Sequence, residues 1–405
     1  MRKVLAVLAA LTLAGCTSES ESMQFGPHPT LVQNLADQAK QETEAVAKAA
    51  EEEQANRLGV TVDRLREAKS QLPTQQRAKV ATLMMVGVRD YDDAKFALEQ
   101  GAGGIFIGSW TSPALLTEPG RDLKALRAEI GRPFSVSIDA EGGRVQRQPA
   151  LFGAVPAPRS IAESKTPAQA RAIGFELGRG LRTAGVTVDF APVLDVDGGK
   201  AGGAIGDRSF SSDPDTAARY GAAFAQGLRD AGIQPVYKHF PGHGRVSGDS
   251  HFEDVTSPSL ESVKSVDLAP YGPALREAPG AVMVGHVRVP GLGDASPSTI
   301  NPAAYALLRS GDYPGGAPHR GVVYTDDLSG MKAISNRLST PQAATAALVA
   351  GADCALWIST GALSEAIDST DNAVSAGTYP QAQLEDSALR VKLQQLDQQG
   401  FRPAG

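Results

Sequence analysis

Short apolar runs recur along the chain from about residue 78, separated by stretches with the spacing of amphipathic helices. The runs are rich in β-branched residues and continuous rather than alternating, as is typical of parallel strands covered on both faces. There are eight of them: ATLMMVGV (81–88), GGIFIG (103–108), FSVSID (134–139), VTVDFAPVLDV (186–196), QPVYKHF (234–240), AVMVGHVRV (281–289), GVVYTDD (321–327) and CALWIS (354–359).

Helices are predicted between these runs, most clearly over 166–184, 214–232, 259–277 and 340–351. Several begin after Thr, Ser or Pro, which is a helix-start signal. Eight alternations of strand and helix fit a single (β/α)8 barrel of the TIM type, for which about 250–330 residues suffice. A doubly wound open sheet is the alternative, because alternation alone also permits that fold.

Polar residues at the carboxyl ends of the predicted strands favour the barrel over the open sheet. In a barrel these ends surround one mouth, so that residues far apart in sequence meet at a single site. The residues in question are Asp139, Asp195, Lys238, His239, His286 and Asp326.

The amino terminus has the pattern of a secretory signal, with Arg2 and Lys3 followed by a short apolar run. This run is too short to be a permanent membrane span. The sequence LAGC, ending at Cys16, resembles the bacterial lipobox, which predicts a signal of residues 1–16 and a lipid anchor on Cys16. A plain signal peptide is the alternative. We expect export, with the protein tethered to the outer face of the cytoplasmic membrane.

Residues 17–71 are poor in large apolar side chains and include a stretch rich in Ala, Glu, Gln and Lys. Such composition favours helix but offers little surface to bury. We interpret the segment as a polar helical stalk or linker, with a surface helix packed on the domain as the alternative, and place the catalytic barrel at 72–400. If Cys16 is lipidated, Cys354 has no partner for a disulfide.

Composition narrows the classes of partner. The net charge is −6 and no dense Lys/Arg stripe occurs, so the chain lacks the electrostatic footprint of a nucleic-acid-binding protein. Apolar residues make up 42% of the chain, enough for a large core.

Three of the six histidines lie within KHFPGHGRVSGDSH (238–251). His239 and His243 are four apart, but Pro241 and Gly242 rule out the helix on which such a pair would bind zinc, and no metal is expected. Asp249 and His251 are two apart, so in an extended segment the carboxylate can orient the imidazole as a general acid/base. A surface loop with an incidental ion pair is the alternative.

Carboxylates and arginines complete the candidate site. Of Asp326 and Asp327, only one should face the mouth, as nucleophile, base or ligand, and Asp327 suits a capping role better. In SIDAEGGRVQR, Asp139 could accept sugar hydroxyls and either arginine, Arg144 or Arg147, could bind a carboxylate or acetamido oxygen, as could Arg208 of GDRSF.

Together KHFPGHG, DSH, IDAEGGRVQR, DFAPVLDVD, GDRSF and TDDLS, spread over residues 72–360, resemble glycoside hydrolase family 3 and within it the single-domain bacterial β-N-acetylglucosaminidases of peptidoglycan recycling. The resemblance implies that Asp326 is the catalytic nucleophile and that Asp249 and His251 form the acid/base dyad. It also implies a set of residues that hold the N-acetylglucosamine unit: Asp139, Arg147, Arg208, Lys238 and His239. His243 and His286 are interpreted as buried structural histidines.

We therefore expect a retaining exo-β-N-acetylglucosaminidase, monomeric and without a cofactor, that removes GlcNAc from peptidoglycan fragments. Two alternatives stay open. A histidine acid/base leaves no anion to repel phosphate, so the same site could serve a phosphorylase. A cell-wall-binding lipoprotein without catalysis is the second, although the intact catalytic positions count against it.

Overall fold

The computed structural model describes residues 29–250 and 253–400, and within them eight parallel strands form a barrel. The strands are paired in chain order, β8 pairs with β1, and a bridge between Tyr324 and Cys354 joins β7 to the start of β8. The strands are β1 Met84–Val88, β2 Gly104–Ile107, β3 Ser135–Ile138, β4 Val188–Asp189, β5 Gln234–Phe240, β6 Ala281–Val284, β7 Val323–Thr325 and β8 Ala355–Trp357.

Each predicted apolar run contains one barrel strand, and the (β/α)8 prediction is confirmed. The open-sheet alternative is wrong, because an open sheet with this strand order would leave β7 and β8 unpaired at its two edges. Here the Tyr324–Cys354 bridge and the hydrogen bond from the Thr325 N–H to the Cys354 carbonyl join these two strands. Two short two-stranded sheets lie outside the barrel. One pairs Ala140–Gly142 with Val145–Gln146 in antiparallel fashion, and the other pairs Val255–Thr256 with Val287–Arg288 in parallel fashion.

The described helices are mostly the connections between successive strands. In chain order they are Pro29–Leu58, Val62–Ser70, Gln76–Ala81, Tyr91–Glu99, Ala114–Thr117, Leu123–Ile130, Pro149–Phe152, Pro158–Ser164, Pro167–Thr183, Pro214–Asp230, Leu260–Ser262, Tyr271–Glu277, Pro302–Ser310, Lys332–Ser335, Thr340–Ala350, Leu363–Ser375 and Gln381–Gly400. The described residues also include two 3₁₀ turns, Gly206–Arg208 and Ser298–Ile300, and one π turn, Val263–Asp267.

One predicted helix, 259–277, is divided in the structure. Its first part runs through Leu260–Ser262 into the π turn Val263–Asp267, and a separate helix occupies Tyr271–Glu277. Pro270 lies between the parts, where its ring and missing N–H prevent a continuous helix. The other three predicted helices are confirmed.

The chain divides into two compact units, the first ending at Gln54 and the second beginning at Ala55. In the first unit the described residues belong to one helix, and nearly all of their side chains are exposed. None of the described helices is long and apolar enough to cross a bilayer. Cys16 and the predicted signal lie outside the described residues, and the stalk stays a prediction.

The second unit includes residues 55–71, which the sequence grouped with the stalk. There a small apolar cluster joins the segment to the last helix: Ala55, Leu58, Leu65, Ala68, Leu389, Leu393 and Leu396. The Arg57 guanidinium also donates two hydrogen bonds to the Asp386 carboxylate, at 2.7 and 3.1 Å. The apolar positions are few, which is why composition alone did not separate this segment from the stalk.

The barrel interior is packed below its mouth. Phe190 lies between Phe106 and Tyr324, with ring centroids 5.9 and 5.3 Å away. At the amino-terminal end of the strands, Gln394 and Gln395 of the last helix donate to the Tyr324 hydroxyl and the Gly103 carbonyl. Because side chains fill the interior of the barrel, the open space for a ligand lies at the carboxyl ends of the strands.

Candidate active site

A cavity of about 370 Å³ lies at the carboxyl ends of the barrel strands. Seven residues predicted from sequence line it: Asp139, Arg147, Arg208, Lys238, His239, Asp249 and Asp326. They come from β5 and from the segments that follow β3, β4, β5 and β7, so the barrel brings them together as the sequence predicted. His251, the remaining catalytic candidate, lies outside the described residues.

Asp326 follows β7 directly, and its backbone N–H donates to the Val284 carbonyl on β6. Burial by itself would raise the pKa of Asp326. Electrostatic interactions with His239 and His286 and a hydrogen bond from the Asp327 N–H (2.8 Å) outweigh burial and hold this pKa below its usual range. The carboxylate is therefore ionised and available at neutral pH.

Asp327 also lines the cavity, although strand alternation predicted that only one of the two aspartates would face it. Its hydrogen bonds nevertheless differ from those of Asp326. Its two carboxylate oxygens accept from the backbone N–H groups of Ser329 and Gly330, both at 2.9 Å. It thereby caps the turn after β7 and fixes the chain that follows Asp326.

Glu141 is a buried carboxylate that the sequence reasoning missed. It accepts two hydrogen bonds from Arg208, from Nε at 2.7 Å and from Nη2 at 2.8 Å, and lies 2.6 Å from Lys238 Nζ. Lys238 also donates to Asp139 at 2.8 Å. The available signal was spacing: Glu141 is two residues after Asp139, on the same side of an extended segment.

The charges in this cluster are mutually stabilised. Burial would raise the pKa of Glu141, but the charges of Arg208 and Lys238 and their hydrogen bonds bring it below its usual range. Burial would likewise lower the pKa of Lys238, and the carboxylates of Asp139 and Glu141 raise it instead. Glu141, Lys238 and Arg208 are thus charged at neutral pH, and the donors of the two cations are fixed in direction before any ligand binds.

His239 is oriented by the buried Asp195, which lies in the segment that follows β4. Its Nδ1 lies 2.6 Å from Asp195 Oδ2, and its Nε2 lies 3.3 Å from Arg208 Nη2. Arginine can only donate, so Nε2 accepts and the proton on Nδ1 is donated to Asp195. Asp195 Oδ1 also accepts from the backbone N–H groups of His239 and His243, which places the turn after β5.

Asp249 lines the cavity, partly exposed, on the loop after β5. The next residue, Ser250, is buried; its hydroxyl lies 2.8 Å from Nε2 of His243, and its carbonyl accepts from Ala333 N–H. Burial lowers the pKa of His243 to about 4, so this histidine is neutral and structural, as predicted.

His286 is also a buried structural histidine. Its Nδ1 lies 2.6 Å from the Thr299 hydroxyl and its Nε2 2.8 Å from the Asp327 carbonyl. Burial lowers its pKa below the usual range. It supports the turn next to Asp326 and agrees with the sequence-based interpretation.

Arg147 has the loosest contacts of the predicted sugar-binding residues. One Nη lies 3.4 Å from Asp139 and the other donates to Ser109 at 3.2 Å, while Nε has no partner among the described residues. Its guanidinium is therefore the group with most donor capacity left for a ligand.

A second carboxyl that the sequence reasoning missed lies below the cavity on β4. Asp189 is fully buried; Oδ1 accepts from Ala140 N–H at 2.9 Å and Oδ2 has no partner in the described part of the chain. Burial raises the pKa of Asp189 to about 8, so the carboxyl is largely protonated at neutral pH.

The arrangement combines an ionised carboxylate with a rigid set of donors and acceptors at the bottom of a cavity. This is the chemistry required to hold a polar ring and attack one of its carbons. Within residues 29–250 and 253–400, no group of three or more His, Cys, Asp or Glu side chains could hold a metal ion.

Comparison with known proteins relates the chain to glycoside hydrolases. Residues 75–393 match the family described as glycosyl hydrolase family 3 N terminal domain. Beta-hexosaminidase LpqI of Mycobacterium tuberculosis is 45% identical over 317 residues, covering 78% of this chain and 81% of that protein.

Solved structures give the same result. The structure titled M tuberculosis LpqI has a TM-score of 0.75 at 44% identity, over 80% of this chain and 94% of that one. A family 3 member from Mycobacterium smegmatis has a TM-score of 0.76 at 47% identity, over 79% and 96% of the two chains. This chain is a glycoside hydrolase, and it belongs to glycoside hydrolase family 3.

Proposed function

We propose that this protein is a retaining exo-β-N-acetylglucosaminidase that removes non-reducing GlcNAc from peptidoglycan fragments. The observation that carries the proposal is Asp326, an ionised and partly buried carboxylate among fixed donors in the strand-end cavity. The name of the relative LpqI, a beta-hexosaminidase, supports the substrate class.

In the proposed reaction a carboxylate oxygen of Asp326 forms a bond to the anomeric carbon while the glycosidic C–O bond breaks. A proton from the imidazole of His251, oriented by Asp249, goes to the departing oxygen. Water then attacks the glycosyl-enzyme, gives its proton back to the imidazole and releases the sugar with its original β configuration. Turnover requires no cofactor in this scheme.

The sugar is proposed to bind over the polar cluster formed by Asp139, Glu141, Arg208 and Lys238. Asp139 accepts from ring hydroxyls, and Arg208 and Lys238 present donors to them, with Glu141 holding these two cations in place. His239 lines the same part of the cavity. Arg147 is the group proposed for the acetamido oxygen. The packed barrel interior below Phe190 supports an exo mode, because a chain cannot pass through the cavity.

The site of action is proposed to be the cell envelope. Support comes from the signal pattern and the lipobox-like LAGC in the sequence, which predict a lipid anchor on Cys16 outside the cytoplasmic membrane. Replacing Cys16 by Ala should abolish metabolic labelling by a radioactive fatty acid. Unchanged labelling would contradict the anchor.

Hydrolysis of a chromogenic β-N-acetylglucosaminide, compared with the matching β-glucoside, tests the proposal. The purified protein without residues 1–16 should cleave the acetamido sugar at least tenfold faster, and Asp326→Ala should lose activity by about a thousandfold or more while keeping its fold. Cleavage unaffected by this substitution would remove Asp326 as nucleophile.

Phosphorolysis is a second candidate, favoured by one feature, the Asp249 and His251 pair in place of a second carboxylate. A neutral imidazole would not repel an incoming phosphate as a carboxylate would. Phosphate-dependent turnover with sugar 1-phosphate as product would support it, and equal rates without phosphate would exclude it.

A further inference from the structure

Trp110 is an exposed aromatic side chain at the mouth of the cavity. It retains 43% of its accessible surface, whereas the chain's other tryptophan, Trp357, is fully buried. It lines the same cavity as Asp326, and so does Ile358, which is also exposed. The two follow β2 and β8, strands that are separated only by β1, so they form an apolar patch on one side of the cavity.

The orientation of the Trp110 ring is set by a glycine. A Cβ placed on Gly108 would lie 2.5 Å from three consecutive atoms of the six-membered ring, Cε2, Cζ2 and Cη2. A point at equal distance from three such atoms lies over the ring face, so this face rests on the Gly108 backbone. The accessible surface of the ring is therefore mainly its rim and its opposite face.

Hydrogen bonds hold the loop that carries Trp110. Thr111 accepts from Gly108 N–H at 2.9 Å and donates to the Val88 carbonyl at 2.6 Å. Gln148 donates to the carbonyls of Gly108 and Thr111, at 3.1 and 2.9 Å. A ligand that covers the ring thus gains contact area with little further ordering of the protein.

We propose that Trp110, with Ile358 beside it, forms the subsite for the leaving group, and that its ligand is the apolar face of a second pyranose ring. The polar cluster around Glu141 is the part of the cavity suited to the first sugar, whereas the aromatic face lies at the rim, where the second ring must emerge. Aromatic rings bind flat surfaces with C–H groups by dispersion and by the quadrupole of the ring. The inference rests on the proposed glycosidase function and adds the recognition of the aglycone.

The test compares two substrates with the same first sugar. One is the β-1,4-linked disaccharide of N-acetylglucosamine; the other is the β-glycosyl fluoride of N-acetylglucosamine, whose leaving group has no ring. Trp110→Ala should lower kcat/KM for the disaccharide by about tenfold and leave the fluoride within about twofold. Trp110→Phe should recover most of the loss, and Phe96→Ala, which truncates an exposed aromatic outside the cavity, should change neither.

Fluorescence supplies a readout that does not depend on turnover. In the Asp326→Ala background, titration with the disaccharide should shift the tryptophan emission, and the additional change Trp110→Phe should abolish the shift, because only buried Trp357 then remains. Equal losses on both substrates, or an emission shift that survives Trp110→Phe, would overturn the subsite. Failure of the unaltered enzyme to cleave either substrate would instead overturn the glycosidase proposal, and the subsite with it.

Discussion

At the scale of single residues, Glu141 connects most of the polar contacts in the cavity. Its carboxylate is fully buried between Arg208 and Lys238, and no other carboxylate touches the Arg208 guanidinium among the contacts described. Removing one member of a buried ion pair leaves the remaining charge without compensation.

Glu141→Gln should therefore lower the free energy of unfolding by about 3–5 kcal/mol and raise KM, because Arg208 and Lys238 lose the negative charge between them and one of its two acceptor oxygens becomes a donor. Chemical denaturation and substrate titration are the measurements. Glu163→Gln, which neutralises an exposed glutamate on the helix Pro158–Ser164, is the matched control and should have almost no effect. A stable Glu141→Gln variant with normal KM would show that the cluster does not depend on Glu141.

Asp189 predicts a distinctive pH dependence of stability. Its folded-state pKa, about 8, lies above the ordinary value near 3.8, so between these pH values the folded protein binds more protons than the unfolded one. The contribution of Asp189 to stability consequently falls as the pH rises through this window.

Asp189→Asn keeps an acceptor for Ala140 N–H but cannot ionise. Between pH 5 and about 8, the difference in unfolding free energy between the variant and the unaltered protein should move steadily in favour of the variant. The buried histidines His243 and His286 act in the opposite direction, because their lowered pKa values make the folded state more stable as the pH rises. This effect is the same in both proteins and cancels when their unfolding free energies are subtracted. A difference that does not change with pH would mean that Asp189 is ionised throughout.

At the scale of elements, the two long helices that cover β4 and β5 are held close together by glycines. In Pro214–Asp230, a Cβ on Gly227 would lie 2.1 Å from the Arg171 carbonyl, and in Pro167–Thr183 one on Gly174 would lie 2.4 Å from the Phe224 carbonyl. Both obstacles are backbone atoms, so the helices would have to separate.

Gly227→Ala should lower the unfolding free energy by about 1–3 kcal/mol, despite the better helix propensity of alanine. Gly180→Ala provides the contrast, because the nearest atom to its Cβ would be 3.6 Å away, an ordinary contact. That variant should be neutral or more stable by about 0.5–1 kcal/mol. Thermal unfolding of both proteins measures the difference, and equal shifts would contradict the close-packing explanation.

The pattern of apolar runs predicted the elements well, because strands buried on both faces leave a strong signal in sequence. The positions of Asp139, Lys238 and Asp326 at strand ends were predicted for the same reason. Glu141 was missed because it follows its strand and its burial depends on Arg208, which arrives from a loop 67 residues later. The break at Pro270 could have been read from the sequence, whereas the attachment of residues 55–71 depends on contacts with the last helix.

At the scale of the whole molecule, the barrel has a different chemistry at each level. Aromatic side chains fill the interior, charged pairs lie above them, and an exposed tryptophan stands at the rim. In the proposed mode a terminal sugar enters this cavity and meets the ionised Asp326 near the bottom, while its substituent points outward. This arrangement supports the proposed removal of a terminal sugar by one carboxylate nucleophile.

The central claim, that Asp326 attacks the sugar, is tested most directly by trapping the intermediate. A mechanism-based inactivator, the 5-fluoro derivative of N-acetylglucosaminyl fluoride, should add one sugar per protein molecule, and peptide mass spectrometry should place it on Asp326. Asp327→Asn should still be labelled, because Asp327 caps the turn and does not attack. A label on any other residue, or turnover that releases the α-anomer without a covalent adduct, would contradict the account.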